Sequence, residues 1–271
     1  MNYPNLTRLL SAFALVFACA PDLFAQGGLT PPGAPGLTLR SLLDVEPRFP
    51  VYHYGTNLGK AGSYYLATNL VSTSTNIDGI TISTDNVTLD CNGVAIINTA
   101  GDDAQADGVT FVTRKNITVR NGTIQGFYRG IFANGNCAGV VVEHMRVATN
   151  YFRGILLNFS TGGVGGIVRN NFVYGTGGTT VGATNQEIYG ISVCCGMATV
   201  ENNVVFGVLG KGAAAGYGMH LNNSTDTFVI NNRISQANYG IRMNGPNEYR
   251  DNMTSNRDTN YVAGTDRGNN F

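Results

Sequence analysis

The sequence predicts an all-β protein, a right-handed parallel β-helix of about seven coils with an N-terminal cap. Two features repeat along the chain. A glycine followed by an apolar residue opens seven similar segments, and each is followed by a second strand-like segment that ends in a polar, Asn-rich turn. No long segment has a helical hydrophobic period. With 36 Gly, 13% charged and 43% hydrophobic residues, the composition fits a turn-dense β structure rather than a disordered chain.

The first 25 residues have the pattern of a secretory signal peptide. Arg8 precedes the apolar run LLSAFALVFACA, which is too short to span a bilayer, and small residues lead to Ala25. We expect cleavage after Ala25 and a protein that is secreted or periplasmic rather than transmembrane. A lipoprotein anchored at Cys19 is the alternative.

The remaining chain divides into two parts. Residues 26–50 are a Pro/Gly-rich segment, and residues 51–271 are predicted to form the β-helix domain with its caps, the N-terminal cap falling within residues 38–75. The formal net charge of +0 gives no indication of a nucleic-acid partner.

Each coil is expected to start at one of the repeated glycines, where a tight bend with positive φ would open the strand. The glycines are 22 residues apart at the closest (Gly108 to Gly130) and 36 at the widest (Gly154 to Gly190). Such variation excludes leucine-rich and hexapeptide repeats but suits a β-helix, whose turns accept insertions. Strand alternation then turns one apolar residue of each coil inward, which predicts a continuous stack: Ile80, Val109, Ile131, Ile155, Ile191, Met219 and Ile241.

A second column is predicted at the turn that ends the second segment. Asn tolerates left-handed backbone, and stacked amides can hydrogen-bond from coil to coil. The aligned turn positions are Cys91, Asn121, His144, Asn170, Asn202, Asn231 and Asp251.

The cysteines of the exported chain are Cys91, Cys137, Cys194 and Cys195. Their spacing matches no zinc-site pattern. For the adjacent pair, free thiols on a turn are favoured over a vicinal bridge, and the cysteines are not expected to hold the fold together.

Five sequence stretches carry a resemblance to a known family: GLTPPGAPG, SLLDVEPRFPV, AGSYYLATNL, DGITISTDNVTLDCNG and RKNITVRNGTIQGF. Over residues 28–268 the chain resembles exported bacterial proteins of the right-handed parallel β-helix repeat superfamily, with pectin-lyase-like architecture. The resemblance implies the fold. It leaves the function open, because the same coil supports lyases, hydrolases, epimerases, tailspikes and non-catalytic modules.

The catalytic segments of these relatives are missing from the sequence. Polygalacturonase-like members carry Asn-Thr-Asp, Asp-Asp, Gly-His-Gly and Arg-Ile-Lys segments. Here only Asp102 and Asp103 form an acidic pair, in a Gly/Ala-rich stretch that suits a solvated turn. The Trp-Ile-Asp-His segment of pectate-lyase-like proteins and the Asp-Pro-His of alginate-epimerase-like proteins are absent too.

The residue before the repeated glycine gives the candidate binding site, because it changes along the chain from acid to arginine to tyrosine. Arginine can grip a uronate carboxylate, and aromatic faces bind sugar rings. Two outward residues of neighbouring register join this column, of which His220 is expected to be the least constrained histidine. The candidate substrate-binding residues are Asp107, Arg129, Arg153, Tyr189, Tyr217, Tyr239, His220 and Arg242.

No metal or other cofactor is predicted. Asp78 and Asp107 share a register, but a Ca²⁺ site needs a larger acidic cluster. We therefore predict a secreted β-helix protein that associates with polysaccharide, including acidic, uronate-containing polymers, without a recognisable catalytic set. The alternatives are a polysaccharide lyase or glycoside hydrolase of the same fold, and a non-catalytic structural or adhesion module.

Overall fold

A computed structural model describes residues 47–160, 164–181, 186–212, 214–256 and 258–271. The predicted signal peptide, the alternative lipid anchor at Cys19 and most of segment 26–50 lie outside these residues. The described secondary structure is entirely β. In this part of the chain, no helix is long and apolar enough to cross a membrane.

The repeated glycine-apolar segments build one parallel sheet, here called the first sheet. Neighbours in the sheet are successive coils, so each strand pairs with the equivalent strand about one repeat later. Among the described residues its strands are, in order, β2 (Thr56–Leu58), β5 (Ile80–Ile82), β8 (Asp107–Val112), β10 (Arg129–Gly135), β12 (Arg153–Phe159), β15 (Ile188–Cys194), β18 (Gly216–Asn222), β21 (Tyr239–Asn244) and β24 (Thr259–Val262).

The second strand-like segments build another parallel sheet, the second sheet. Its main path in the described chain is β1 (Phe49–Val51), β3 (Gly62–Leu66), β6 (Val87–Asp90), β9 (Ile117–Gln125), β11 (Ala138–Ala148), β13 (Val164–Arg169), β16 (Ala198–Glu201), β19 (Phe228–Ile230), β22 (Glu248–Arg250) and β25 (Thr265–Asp266).

A branch of the second sheet, called the third face, follows the Asn-rich turns. It consists of the C-terminal halves of β9 and β11 together with β4 (Leu70–Ser72), β7 (Ala95–Asn98), β14 (Phe172–Tyr174), β17 (Val204–Phe206), β20 (Arg233–Ser235) and β23 (Met253–Ser255). Each coil thus contributes up to three strands. The predicted parallel β-helix of about seven coils is confirmed.

The predicted inward stack is confirmed in every coil. Its members pair one above the other, as Ile131 does with Val109 below and Ile155 above, and all seven are at most 1% exposed. Full burial of an aliphatic side chain of this size contributes about 1.5–3 kcal/mol. The apolar centre therefore runs continuously from coil to coil.

The glycine that opens each coil is required by close stacking, not by a positive φ. None of the repeated glycines has positive φ, so that expectation was wrong. A Cβ on Gly130 would lie 2.6 Å from the Gly154 carbonyl oxygen and 2.7 Å from a Val147 methyl. Glycine thus keeps two coils and two sheets at contact distance.

The turn column is confirmed except at its first member. Asn121, His144 and the later members have φ between 54° and 59°, apart from Asn231 at 52°. In the first turn, Cys91 is instead buried, and Asn92 takes the left-handed position with φ 52°. The small sulfur-bearing side chain packs in the core, since it forms no strong hydrogen bonds that a turn would use.

A second asparagine ladder, which the sequence analysis missed, lies one residue later. Its members are Asn171, Asn203, Asn232 and Asn252, all at most 2% exposed. The first three Nδ2 atoms each donate to the Oδ1 of the next coil's asparagine at 3.0 Å, as Asn171 does to Asn203, and Asn252 donates to Asn270 at 3.2 Å. The exposed column contributes one comparable amide contact, from Asn231 to Asn202 at 2.7 Å.

The cysteines do not link coils. Cys91 and Cys137 are buried free thiols, and burial raises the pKa of Cys91 to about 12. Cys194 and Cys195 are bonded to each other, so the expectation of free thiols at this pair was wrong. A bond between adjacent residues closes no loop between coils, which leaves stacking as the source of stability.

Candidate functional site

The first sheet brings six candidate residues into one outward column. Strand pairing aligns Asp107 with Arg129, Arg129 with Arg153, and Arg153 with Tyr189. The column continues through the next two coils, where Tyr189 pairs with Tyr217 and that residue with Tyr239. A second outward column beside it contains Ser192, His220 and Arg242. The register predicted from the glycine repeat is therefore the one observed.

At the acidic end, Arg129 is occupied by an internal partner. Its Nε lies 2.7 Å from Oδ1 of Asp107 and its Nη2 lies 2.8 Å from Oδ2, a bidentate pair. Asp107 is 4% exposed, and its backbone N–H donates to the Asp78 carboxylate at 2.8 Å. Burial raises the pKa of Asp107 to about 6, although the bonds from Arg129 oppose the shift. The Arg129 guanidinium also covers the Phe132 ring at 3.5 Å.

Arg153, one coil further, is held between two rings. Its guanidinium carbon lies 3.6 Å from the Phe152 ring centroid and 3.8 Å from that of Tyr189. It donates hydrogen bonds to the backbone carbonyls of Phe152 and Glu187. Burial lowers the pKa of Arg153 to about 10. Both arginines expected to meet a ligand thus already have strong intramolecular contacts.

The tyrosine end is organised around Glu187, a residue that the sequence analysis missed. The Tyr189 hydroxyl donates to its carboxylate at 2.5 Å and the Tyr217 hydroxyl at 3.2 Å. Arg242 donates to the same carboxylate at 3.0 Å and to the Tyr217 oxygen at 2.9 Å. Burial raises the pKa of Glu187, but these donors outweigh it and hold the pKa below its ordinary value. Glu187 is therefore an ionised, pre-oriented carboxylate.

This network reaches the surface. The side chain of Glu187 is 42% exposed and that of Arg242 29%. Tyr239 is half-buried, and its ring stacks on Tyr217 at 4.9 Å between centroids. The outer edge of the cluster thus presents a carboxylate, a guanidinium and a phenol together. In sequence, Glu187 stands two residues before the tyrosine of its coil, the one signal that could have identified it.

His220 is not the least constrained histidine that the sequence analysis expected. Its backbone position is outward, but its side chain is covered by rings, with centroids 4.3 Å from Tyr189 and 5.7 Å from Tyr217, and only 5% exposed. Neither ring nitrogen has a hydrogen-bond partner in the described structure. Burial, with a smaller contribution from Arg242, lowers the pKa of His220 to about 4. The imidazole is therefore neutral at physiological pH.

Among the described residues, no group of three or more His, Cys, Asp and Glu side chains is arranged to hold a metal ion. Two ion pairs lie along the columns instead, Asp107 with Arg129 and Glu187 with Arg242. The chemistry on offer at the tyrosine end is hydrogen bonding and ring contact.

Solved structures of several β-helix proteins resemble this coil. Pectate lyase Pel9A matches with a TM-score of 0.52 and 12% identity over 82% of this chain and 68% of that one. The Dettilon tailspike protein matches with a TM-score of 0.48 and 11% identity, over 77% of this chain and 55% of that one. Endopolygalacturonase I from Stereum purpureum matches with a TM-score of 0.43 and 13% identity, over 80% of this chain and 69% of that one. No protein-family model matches the sequence, and no curated protein does.

The pectate lyase match shows the fold: the chain is a right-handed parallel β-helix of pectin-lyase-like architecture. At 12% identity it transfers no site residue.

Proposed function

We propose that the protein is exported and associates with polysaccharide through the outward side of the first sheet, at the tyrosine end. The observation that carries the proposal is the cluster of Glu187, Tyr217, Arg242 and Tyr239, in which a carboxylate and a guanidinium are fixed beside a half-exposed ring. The resemblance of the coil to a pectate lyase supports a carbohydrate ligand.

The cluster suits sugar hydroxyls for a simple chemical reason. A hydroxyl both donates and accepts, so it can donate to Glu187 and accept from Arg242 at the same time. The Tyr239 ring offers an apolar face to the C–H groups of a pyranose. Because Glu187 and Arg242 neutralise each other, a ligand here is selected by its hydroxyl pattern more than by its net charge.

The other end of the column has a structural role in this proposal. Arg129 and Arg153 are held by Asp107 and by ring contacts, so they reinforce stacking between coils. A specific observation, the bidentate bond of Arg129 to a buried carboxylate, favours this assignment. Acidic polymers are then not recognised by this pair of arginines.

Export is the part of the proposal that rests on sequence alone. The charged start, the apolar run and the small residues before Ala25 support it. Mass spectrometry of the protein recovered from its native host should give a mature chain that begins at Gln26. A full-length chain in the cytoplasmic fraction contradicts export.

Titration calorimetry of the purified protein against a panel of polysaccharides tests the binding site. Tyr239→Ala should weaken binding up to about tenfold, since a ring contact contributes roughly 0.5–1.5 kcal/mol. Tyr52→Ala is the matched control, because Tyr52 is 56% exposed and lies outside the cluster. Equal binding by both variants overturns the site. Release of unsaturated uronate or new reducing ends during the titration would instead support the lyase or hydrolase alternative.

A further inference from the structure

The third face carries a second group of aromatic and cationic side chains, on strands that do not belong to the first sheet. Three outward rings, those of Phe172, Tyr174 and Phe206, contact one another with all centroid distances at 5.2 or 5.3 Å. All three are half-buried. Beyond any stacking between coils, three outward rings grouped in one place leave an aromatic surface that a second molecule can contact.

Two arginines flank the rings in the same row of the face. Strand pairing places Arg146 beside Phe172, Phe172 beside Val204, and Val204 beside Arg233. Both arginines are exposed. Arg146 covers the Phe172 ring at 5.4 Å. Neither has an acidic partner among the described residues, in contrast to Arg129 and Arg242 on the first sheet. Three strand spacings separate them, about 14 Å.

The face is also free of opposing charge. The strands β4, β7, β14, β17, β20 and β23, and the halves of β9 and β11 that join them, contain no Asp or Glu. The charge of the described third-face strands is therefore that of Arg146 and Arg233, which gives it a local positive potential on a chain with no net charge.

An open groove lies on each side of the rings. One, of about 460 Å³, is lined by Arg146 and Phe172 with the polar turn residues Asn121, His144 and Asn170. The other, of about 280 Å³, is lined by Arg233 and Ser235 together with the apolar side chains of Val204, Met253 and Phe271. In the first groove, amide and imidazole groups beside a ring suit sugar hydroxyls better than the dry centre of a protein interface does.

We infer that the third face is a second binding surface, and that its ligand is an anionic polysaccharide. A chain lying across the strands would rest sugar rings on Phe172, Tyr174 and Phe206. It would place carboxylate or sulfate groups against Arg146 and Arg233, whose planar guanidinium groups can bind them in a bidentate way. This surface is independent of the proposed function, because it differs in position and in the charge that it selects.

The test compares three polymers as probes on the full-length protein: polygalacturonate for carboxylates, heparin for sulfates, and dextran as the neutral control. Wild type should bind at least one anionic probe, with an affinity that falls as salt rises because exposed charge contacts are screened. Arg146→Ala with Arg233→Ala should weaken that binding about tenfold and leave dextran unaffected.

Three further variants separate this surface from general charge and from the first-sheet site. Arg114→Ala with Arg250→Ala removes the same charge from at least partly exposed positions outside the third face and should retain wild-type binding. Phe206→Ser keeps the charge but removes a ring and should weaken anionic binding. Tyr239→Ala should leave it unchanged, even if that variant has lost the first-sheet ligand.

The proposal is overturned by any of three results. These are no binding of either anionic probe by wild type, equal binding by wild type and the Arg146/Arg233 variant, or equal weakening in the Arg114/Arg250 control. The first result would leave an acidic protein as the partner for this face. Thermal melts accompany each variant, and because all four arginines are at least partly exposed, the melting temperatures should stay close to wild type.

Discussion

At the scale of single residues, burial decides which candidate side chains can act. Arg129 and His220 both occupy outward strand positions, yet one is bonded to a buried carboxylate and the other lies under two rings. Alternation in sequence predicts the direction of a side chain from its strand, but not what covers it. Whether an outward side chain is buried depends on neighbouring coils and on turns of unequal length, and the sequence repeat does not describe either.

His220 should make the protein sensitive to acid. Its pKa falls from an ordinary value of 6.5 to about 4 in the folded state, so the unfolded chain takes up a proton first. The contribution of neutral His220 to the free energy of unfolding is fully present above pH 6.5. It is lost as the pH falls towards 4, by at most about 3 kcal/mol. His220→Phe, which keeps a ring between the tyrosines, should lose less stability than wild type over this range in denaturant melts.

Asp107 changes the stability with pH in the opposite direction to His220, and it provides an internal control for the same measurement. Its pKa is raised from 3.8 to about 6 in the folded state, so stability gained below pH 4 is lost as the pH rises through 6. In the His220→Phe variant, the dependence of stability on pH that Asp107 causes should therefore be visible. Parallel pH profiles for wild type and variant contradict the buried, unpaired imidazole.

Arg129→Ala should destabilise the protein, because Arg129 is the ion-pair partner of a buried carboxylate. The change leaves the Asp107 carboxylate buried without its partner, a loss of roughly 3 kcal/mol. Urea unfolding measures it. Adding Asp107→Asn to the same chain should recover part of the loss, and a single variant as stable as wild type shows that the ion pair contributes nothing.

At the scale of the element, the turn between the second sheet and the third face is held by two asparagines with different tasks. In the pair Asn202–Asn203, the first takes the left-handed conformation and is exposed, and the second is fully buried in the ladder. The sequence predicts an asparagine ladder because the Asn-Asn pairs repeat. It does not indicate which member is inside, since both residue types are identical and only backbone curvature separates them.

Asn203→Ala should therefore cost far more than Asn202→Gly. Asn203 donates to Val168 and Asn232 and accepts from Asn171, so its loss leaves several buried groups unpaired at about 1–3 kcal/mol each. Asn202→Gly keeps the left-handed backbone available and should stay within about 1 kcal/mol of wild type. Chemical denaturation of the two variants gives the comparison; similar losses would place the ladder at the wrong residue.

At the scale of the whole coil, the sequence was most informative where one constraint repeats. The inward stack was predictable because every coil must bury the same position. The outward column was predictable because the same register aligns it. Glu187 and the third-face arginines were not predictable, since they do not belong to the repeat and their roles depend on contacts between coils. The fold was thus predictable from periodicity, while the candidate sites depended on tertiary contacts that no period records.

Ile155→Asp should unfold or aggregate the protein as a whole. Ile155 lies in the middle of the inward stack at 0% exposure, and an unpaired buried carboxylate costs several kcal/mol. Because each coil is supported by its neighbours, the damage should spread in both directions. Circular dichroism and size-exclusion chromatography detect the loss. Leu156→Asp, at the neighbouring outward position, is the control and should remain folded.

The proposal that this coil associates with polysaccharide can be tested with a glycan array probed with the purified full-length protein. We expect binding to polysaccharides that is retained after washing. Tyr239→Ala should weaken it for neutral chains, and Arg146→Ala with Arg233→Ala should weaken it for anionic chains. Absence of binding to every glycan by folded wild-type protein would contradict the proposal and leave the coil as a structural module.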